Sequence, residues 1–487
     1  MHTRTPHLSF GTPSSSFALL TDLYQLTMSY GYWKSGLCFK ESVFHLFFRR
    51  PPFNGGFTVA AGLEQVMQFV ENFHFDKSDL HYLASLKIGG KPDFFSKEFL
   101  HYLAQLKFSC HIDAVPEGTI VFPGEPLLRI QGPLIQCQIL ESCLLNLINF
   151  SSLIATKAAR ICLAADGDPV IEFGLRRAQG IDGALSASRA AYIGGCDSTS
   201  NVLAGKLYDI PVKGTHSHSW VMAFDTELNS FQTYAEHLPE NTVFLVDTYD
   251  SMEGVEKAIE VGKWLQARGQ KLLGIRLDSG DLAQLSIASR HKLDEAGFAD
   301  TLIIASNDLD EGLISELKRQ GAKINVWGVG TNLVTAKDQS ALDGVYKLSA
   351  IRSPGDAWTY KLKLSEQMVK VSNPGILQIK RFSVGEIYVG DLIYDVDKGI
   401  FEADQGLNLP KKNLTEEDLL LPIFREGKRV YGLPSIHSIR QRTLIELKRL
   451  TAGMKCLSNP DHYLVKMEKS LLDLKTTLID EIQSQKK

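Results

Sequence analysis

Residues 242–281, TVFLVDTYDSMEGVEKAIEVGKWLQARGQKLLGIRLDSGD, hold the pattern on which the fold is read. An apolar, β-branched run (242–247) ends in Asp247-Thr248-Tyr249-Asp250. A stretch with helical spacing follows, and a second apolar run (272–277) ends in Asp278-Ser279-Gly280-Asp281. Two such runs with a helix between them suit parallel strands, because parallel pairing needs a crossover connection. Working outward, similar runs recur at 169–173, 191–195, 210–214, 301–305, 323–328 and 344–350. Eight runs, most followed by a plausible helix, predict an α/β fold: an irregular (β/α)8-type barrel over 166–355. The helices around 191–195 and 210–214 are weak, so a doubly wound open sheet is the structural alternative.

On the N-terminal side, residues 1–135 mix an early helix (Asp22 to Lys34) with short alternating segments. Pro116-Glu117-Gly118, Pro123-Gly124 and Gly132-Pro133 bound the strand-like runs near its end. These features predict a smaller N-terminal α+β domain. From 134 to 165 the spacing of Leu140, Leu144, Leu147, Ile148 and Ile154 predicts a connector helix. The C-terminal extension, 356–487, shows strand-like alternation from Ile376 to Tyr394. It closes in an amphipathic helix over 461–483, with Leu464, Met467, Leu471, Leu474, Leu478 and Ile482 on one face. This segment is expected to pack back on the N-terminal domain.

Composition narrows the function classes. Lys plus Arg number 52 against 56 Asp plus Glu, a net charge of -4, which speaks against nucleic acid or an anionic membrane as partner. The seven cysteines (38, 110, 137, 143, 162, 196, 456) contain no C-x-x-C pair. They read as buried small hydrophobes in a reducing compartment, so a cytoplasmic location is expected. The most apolar stretch, 134–155, is interrupted by Gln136, Gln138, Glu141, Asn146 and Asn149, and the N-terminus lacks a secretory apolar run.

In a barrel the active site lies at the C-terminal ends of the strands. Polar clusters follow seven of the runs: Phe173-Gly174-Leu175-Arg176-Arg177, Asp197 to Asn201, Gly214 to Ser219, Asp247 to Asp250, Arg276 to Asp281, Ser306-Asn307-Asp308, and Gly328 to Asn332. Helix capping accounts for any one of them, but less readily for seven. Gly328-Val329-Gly330-Thr331-Asn332 precedes a helical stretch and suits a monophosphate held by backbone N–H groups. It is neither a Walker loop nor a dinucleotide fingerprint. Asp247 and Asp278 suit sugar hydroxyls or a shared Mg²⁺, with capping and pairing to Arg176 or Arg276 as the structural alternative. His216 and His218 form an H-x-H pair. It offers either two metal ligands, as in a barrel metallohydrolase, or one imidazole nucleophile toward phosphate.

These residues carry a family resemblance. Phe173-Gly-x-Arg176-Arg-Ala-Gln-Gly, Gly214-Thr-x-x-His218-Ser-x-x-Met222, Arg276-x-Asp-Ser-Gly-Asp-Leu282 and Thr21-Asp-Leu-Tyr-Gln-Leu-Thr-Met28 together resemble nicotinate phosphoribosyltransferase. Phe47-Phe-Arg49-x-Pro-x-x-Gly-Gly56, Pro116-Glu-Gly-x-x-x-Phe-Pro123 and Leu144-Leu-Asn-Leu-Ile-Asn149 extend the match. The resemblance implies formation of nicotinate mononucleotide and diphosphate from nicotinate and 5-phosphoribosyl 1-diphosphate. ATP is the co-substrate, Mg²⁺ the cofactor, and the assembly a homodimer with shared sites. By resemblance, Phe173 and the neighbouring subunit's Tyr24 stack the pyridine ring, Thr215 and Arg276 meet its carboxylate or the adjoining phosphate, and Arg176 contacts phosphate oxygens. Asp247 and Asp278 hold ribose and the Mg²⁺ diphosphate; Gly328, Gly330 and Thr331 hold the 5′-phosphate; His218 is phosphorylated. Arg49, Asn201, Ser306 and Asn307 complete the expected substrate-binding set. A nicotinamide-using relative is the nearest alternative, and a non-catalytic binding relative a further one. Two positions depart from the pattern: Asn307 stands where a glycine is expected, and His216 is unusual in its motif.

Overall fold

The computed structural model describes residues 16–90, 93–367, 370–400 and 413–484. The chain divides into two compact units: one of the residues up to Leu153 and from Ala341 onward, the other Ile154–Ser340.

The second unit contains six parallel strands: β1 (Val170–Glu172), β2 (Ser198–Thr199), β3 (Val243–Leu245), β4 (Gly274–Leu277), β5 (Leu302–Ala305) and β6 (Val326–Val329), in the order β2-β1-β6-β5-β4-β3. All five pairings are parallel. Helices supply the crossovers, among them Ser251–Gln266 after β3, Leu282–Glu295 after β4 and Glu311–Arg319 after β5. Each begins at an aspartate, Asp250, Asp281 or Asp310, whose carboxylate accepts the free N–H groups of the first turn.

Five of the eight apolar runs are strands of this sheet, and three are not. Residues 191–193 end the helix Gly180–Ile193, whose run of alanine and other good helix formers outweighs the apolar pattern. Residues 210–214 contribute one isolated bridge, Val212 with Thr199. Residues 344–350 belong to the strand Gly344–Arg352, which pairs antiparallel with Glu41–Phe48 in the first unit. In turn β2 lies inside the Asp197–Asn201 cluster, which the sequence reading placed beyond a strand.

The first unit carries a seven-stranded antiparallel sheet ordered 359–360, 344–352, 41–48, 128–133, 111–114, 421–425 and 428–429. Four of these seven strands come from beyond residue 340. A second sheet orders 414–418, 377–384, 387–395 and 465–467. Its central hairpin turns at Gly385, whose φ of +60° few other residues adopt readily. The C-terminal helix is Lys469–Ser484, shorter than 461–483 predicts at its start, because Val465–Met467 pairs as a strand with Asp391–Ile393. Leu471 and Leu474 of that helix pack with Val465 and Met467 on Leu377 and Ile393. The connector is two helices, Leu134–Ile139 and Glu141–Ala165. The latter is long and apolar enough to cross a membrane, but its most apolar stretch is 72 % buried within the protein, as a core helix would be. Cys110, Cys137, Cys143 and Cys196 are buried as expected, whereas Cys38 and Cys162 are half-buried and Cys456 is exposed.

Within the first unit, Arg381 is fully buried and makes a forked contact with Asp391, at 3.0 Å from Nε and 2.6 Å from Nη2. Its Nη1 donates to the Ile120 carbonyl at 2.7 Å, and Tyr463 donates to Asp391 at 2.7 Å. Glu125 lies at the edge of this cluster, 4.0 Å from Arg381 Nη2, and its Oε1 finds no hydrogen bond among the described residues. Burial and then the charge of Asp391 push its carboxyl well above the usual range, so the folded protein holds a proton there. The unfolded chain releases that proton near pH 4.5. The contribution of Glu125 to stability therefore falls as pH rises above about 4.5, until the folded group also ionises. Glu125→Gln is neutral at every pH and lacks this slope. We expect its melting temperature to match the wild type near pH 4.5 and to exceed it increasingly toward pH 8; a pH-independent difference would contradict the assignment.

Candidate active site

The C-terminal ends of β1, β3, β4, β5 and β6 bring most of the expected second-unit residues together. Arg276, in β4, is the hub. Its Nε donates to Ser306 Oγ at 2.9 Å, Nη1 to Thr215 Oγ1 at 3.1 Å and Nη2 to Asp278 Oδ1 at 3.0 Å. The guanidinium carbon lies 5.4 Å from the centroid of the Phe173 ring. Ser306 also donates to Asp278 Oδ1. Three loops are thus tied through one planar cation, an arrangement that lysine's single ammonium does not reproduce.

Phe173 follows β1, and its N–H donates to Val329 O at 2.8 Å. The ring rests on Ile171, Val243, Ile304 and Val326. Gly328 makes room for it: a Cβ there would lie 2.6 Å from the ring. The glycine thus seats an aromatic face, besides any role in holding phosphate. Thr331 opens a helix of only four residues, Thr331–Val334, and Gly330 precedes it. The side chain of Asn332 donates to the carbonyls of Asp308 at 2.7 Å and Leu309 at 3.2 Å, joining the β6 loop to the β5 loop. Asn307 is exposed with φ +92°, a left-handed conformation that explains why glycine would be expected there.

Asp247 Oδ2 accepts from the Asp278 N–H at 2.8 Å and from Ser279 Oγ at 2.6 Å. Its other oxygen, Oδ1, is buried with no hydrogen-bond partner among the described residues. A buried carboxylate oxygen without a donor is costly, so this atom fits a ligand from outside the chain. Hard oxygens at Asp247 and Asp278 match Mg²⁺. His218 begins the helix His218–Met222; its Nδ1 lies 3.1 Å from Thr248 Oγ1 and its Nε2 3.8 Å from Asp278 Oδ2. The side chain is 41 % exposed, open enough to meet a substrate.

His216 differs from its neighbour. It is buried, and its Nε2 accepts the Leu245 N–H at 3.2 Å. Burial holds its pKa down to about 4. With that lone pair engaged by the backbone, the H-x-H pair does not serve as a two-histidine metal site.

Other expected residues are not among the hydrogen-bond partners of Arg276. Asn201 is buried and caps the helix Val202–Tyr208: its Oδ1 accepts the Ala204 N–H and its Nδ2 donates to Ser188 Oγ, both at 3.2 Å. Arg176 is exposed on the turn Leu175–Arg177. Tyr24 and Arg49 belong to the first unit, Tyr24 half-exposed on the helix Leu23–Lys34 and Arg49 just past the strand Glu41–Phe48. Asp197 lies at the opposite end of the sheet, accepting the N–H of Val170 where β1 begins.

Sequence reasoning missed Glu172. This carboxylate is 1 % exposed, accepts the Gly174 N–H, and takes the hydroxyls of Ser188 and Thr199 at 2.8 and 2.6 Å. It therefore holds the Phe173 loop to β2 and to the helix Gly180–Ile193. Its signal in the sequence was a lone acid in an otherwise apolar strand, Val170-Ile171-Glu172.

Comparison with known proteins bears on the family. Residues 19–149 match the nicotinate phosphoribosyltransferase N-terminal domain, residues 169–359 the nicotinate phosphoribosyltransferase family, and residues 402–475 the C-terminal domain of the same enzymes. The chain is 43 % identical to nicotinate phosphoribosyltransferase of Bacillus subtilis, over 98 % of each protein. It is 40 % identical to that of Dictyostelium discoideum, over 93 % of this chain and 87 % of the relative. The crystal structure of human nicotinic acid phosphoribosyltransferase superposes with a TM-score of 0.79 at 31 % identity, covering 94 % of this chain and 99 % of the human one. Family motifs, site geometry and near-complete coverage lead to one conclusion: the chain belongs to the nicotinate phosphoribosyltransferase family.

Proposed function

We propose that this protein joins nicotinate to 5-phosphoribosyl 1-diphosphate, giving nicotinate mononucleotide and diphosphate in NAD salvage, with ATP hydrolysed alongside. The observation that carries the reading is the Arg276 fork beside the Phe173 ring, a cation and an aromatic face 5.4 Å apart. Such a pair receives a flat anionic ring: the face stacks and the guanidinium attracts the carboxylate. The pyridine nitrogen already owns a lone pair, so forming its bond to the anomeric carbon, as the bond to diphosphate breaks, needs no general base. The chain's task is to orient the ring and shelter developing charge. Thr215 and Ser306 set the fork's direction. Asp247 and Asp278 are suited to ribose hydroxyls and to a magnesium ion, which when bound would neutralise diphosphate charge. Arg176, Gly328, Gly330 and Thr331 are assigned to phosphate oxygens by family resemblance.

The same reading assigns His218 to ATP. With its Nδ1–H donating a hydrogen bond to Thr248 Oγ1, the Nε2 lone pair attacks the γ-phosphorus; the new N–P bond forms as the P–O bond to ADP breaks. His218→Ala should take up no acid-labile label from γ-³²P-ATP and should lose ATP stimulation, with basal transfer persisting in part. Label that persists in the variant would refute the role. The reading also includes a cytoplasmic homodimer in which Tyr24 of the neighbouring subunit completes each pocket, and an irregular barrel for the second unit.

One assay tests the whole: mononucleotide formation from nicotinate, nicotinamide and quinolinate in parallel, with and without ATP. Asn201 is committed inside the protein, so base choice rests on the charge of Arg276. An ionic contact in a partly desolvated pocket contributes about 1–3 kcal/mol, or roughly tenfold to a hundredfold in preference for nicotinate. Equal specificity constants for nicotinate and nicotinamide would overturn the assignment.

A further inference from the structure

The order β2-β1-β6-β5-β4-β3 leaves β2 and β3, consecutive among the strands, at opposite edges of the sheet. The chain between them touches both edges. On the β2 side, the Thr199 N–H donates to Pro211 O at 3.0 Å and the Lys213 N–H to Thr199 O at 3.1 Å, around the single bridge to Val212. On the β3 side, Thr242 and Val246 bond toward β4: Thr242 O accepts from Gly274, and Val246 N–H donates to Arg276 O. By the two-residue period of a strand, the N–H of Leu245 points away from β4 to the open edge. That N–H is the one His216 Nε2 accepts, at 3.2 Å. Buried edge donors need partners, and here a side chain supplies what a strand would.

The imidazole is well held. Phe231, Tyr234 and Phe244 surround it, with centroids 6.0, 5.1 and 6.3 Å away. Because Nε2 accepts, the ring proton sits on Nδ1, 3.4 Å from Ser217 O. The preceding residue, Thr215, meets Arg276, and two residues on His218 meets Thr248. We propose that His216 is a positioning residue: its imidazole joins the Gly214–Ser217 segment to the open edge of β3 and so fixes where the chain presents His218 to Thr248 and Asp278. The functional side of this proposal rests on the assignment of His218 to ATP.

Three variants test it. His216→Phe keeps a ring and loses the acceptor. His216→Asn places its amide near the Nδ1 position and also misses Leu245. His216→Gln carries an amide oxygen to the Nε2 position. The Leu245 amide should exchange with solvent at least tenfold faster in the Phe and Asn variants, and the ratio of ATP-stimulated to basal nucleotide formation should fall at least tenfold; His216→Gln should recover most of both. If His216→Phe does not fold, His216→Asn decides. Faster exchange with an unchanged ratio makes His216 merely structural and overturns the positioning role, as does unchanged exchange. If the wild type takes up no phosphate, the His218 assignment fails separately. His216 is then judged by the ¹⁵N resonances of the His218 ring: a shift in His216→Asn together with faster Leu245 exchange supports the proposal, and unmoved resonances overturn it.

Discussion

Arg276→Lys should lower kcat/KM for nicotinate by more than a hundredfold. Arginine makes three directed bonds, to Ser306, Thr215 and Asp278, from three nitrogens in one plane. A lysine ammonium in the same space keeps one of them and loses the other two. Bonds between a charged group and a polar partner contribute about 1.5–3 kcal/mol each, so losing two costs at least about 3 kcal/mol, or roughly 150-fold. The loss should fall on nicotinate and nicotinate-like acids more than on nicotinamide, because lysine holds its charge at a different distance from the ring. Steady-state kinetics with both bases decides the matter. A loss under tenfold would mean that the fork is not the nicotinate contact, and the proposed function would lose its main support.

Arg381→Ala should be the most destabilising single change in the first unit, at about 3–5 kcal/mol. The side chain is fully buried and its cation pairs with Asp391, itself fully buried. Removing the cation takes the forked partner from that carboxylate, which keeps the Tyr463 hydroxyl, and removes the donor to the Ile120 carbonyl and the positive charge 3.5 Å from the Glu446 carboxylate. The stacked Phe122 and Tyr463 rings, 3.7 Å apart, would also lose the cation beside them. The cluster joins segments near residues 120, 390, 446 and 463, so its loss should loosen the second sheet. The urea midpoint reports it. Removing both charges, in Arg381→Ala with Asp391→Ala, should cost less than the sum of the single losses, because neither ion is then left alone. A single-variant loss below about 1 kcal/mol would show that the cluster is not an ion pair of consequence.

What the sequence by itself determined was local and chemical. The apolar runs at 242–247, 272–277, 301–305 and 323–328 each hold a strand because short β-branched stretches between helical ones have few other ways to bury themselves. The aspartates that cap the following helices, and the polar residues at the strand ends, could be read one at a time. So could Phe173, Thr215, Arg276, Asp278 and Ser306, which the structure brings into one network. Local patterning did not reveal which partner a segment chooses across hundreds of residues. Gly344–Arg352 has the same apolar character as the parallel strands, yet it pairs with Glu41–Phe48, because open ladder bonds and a matching face were available there. His216 and His218 look alike in sequence. Only folding buries one against the Leu245 N–H at an open sheet edge and leaves the other half-exposed beside Asp278. Glu172 and Asn201 likewise owe their roles to burial, which turns a polar side chain from a possible ligand contact into an internal tie. Periodicity and residue chemistry depend on near neighbours in the chain and can be read from it. Pairing, burial and tautomer depend on neighbours that only the tertiary structure supplies.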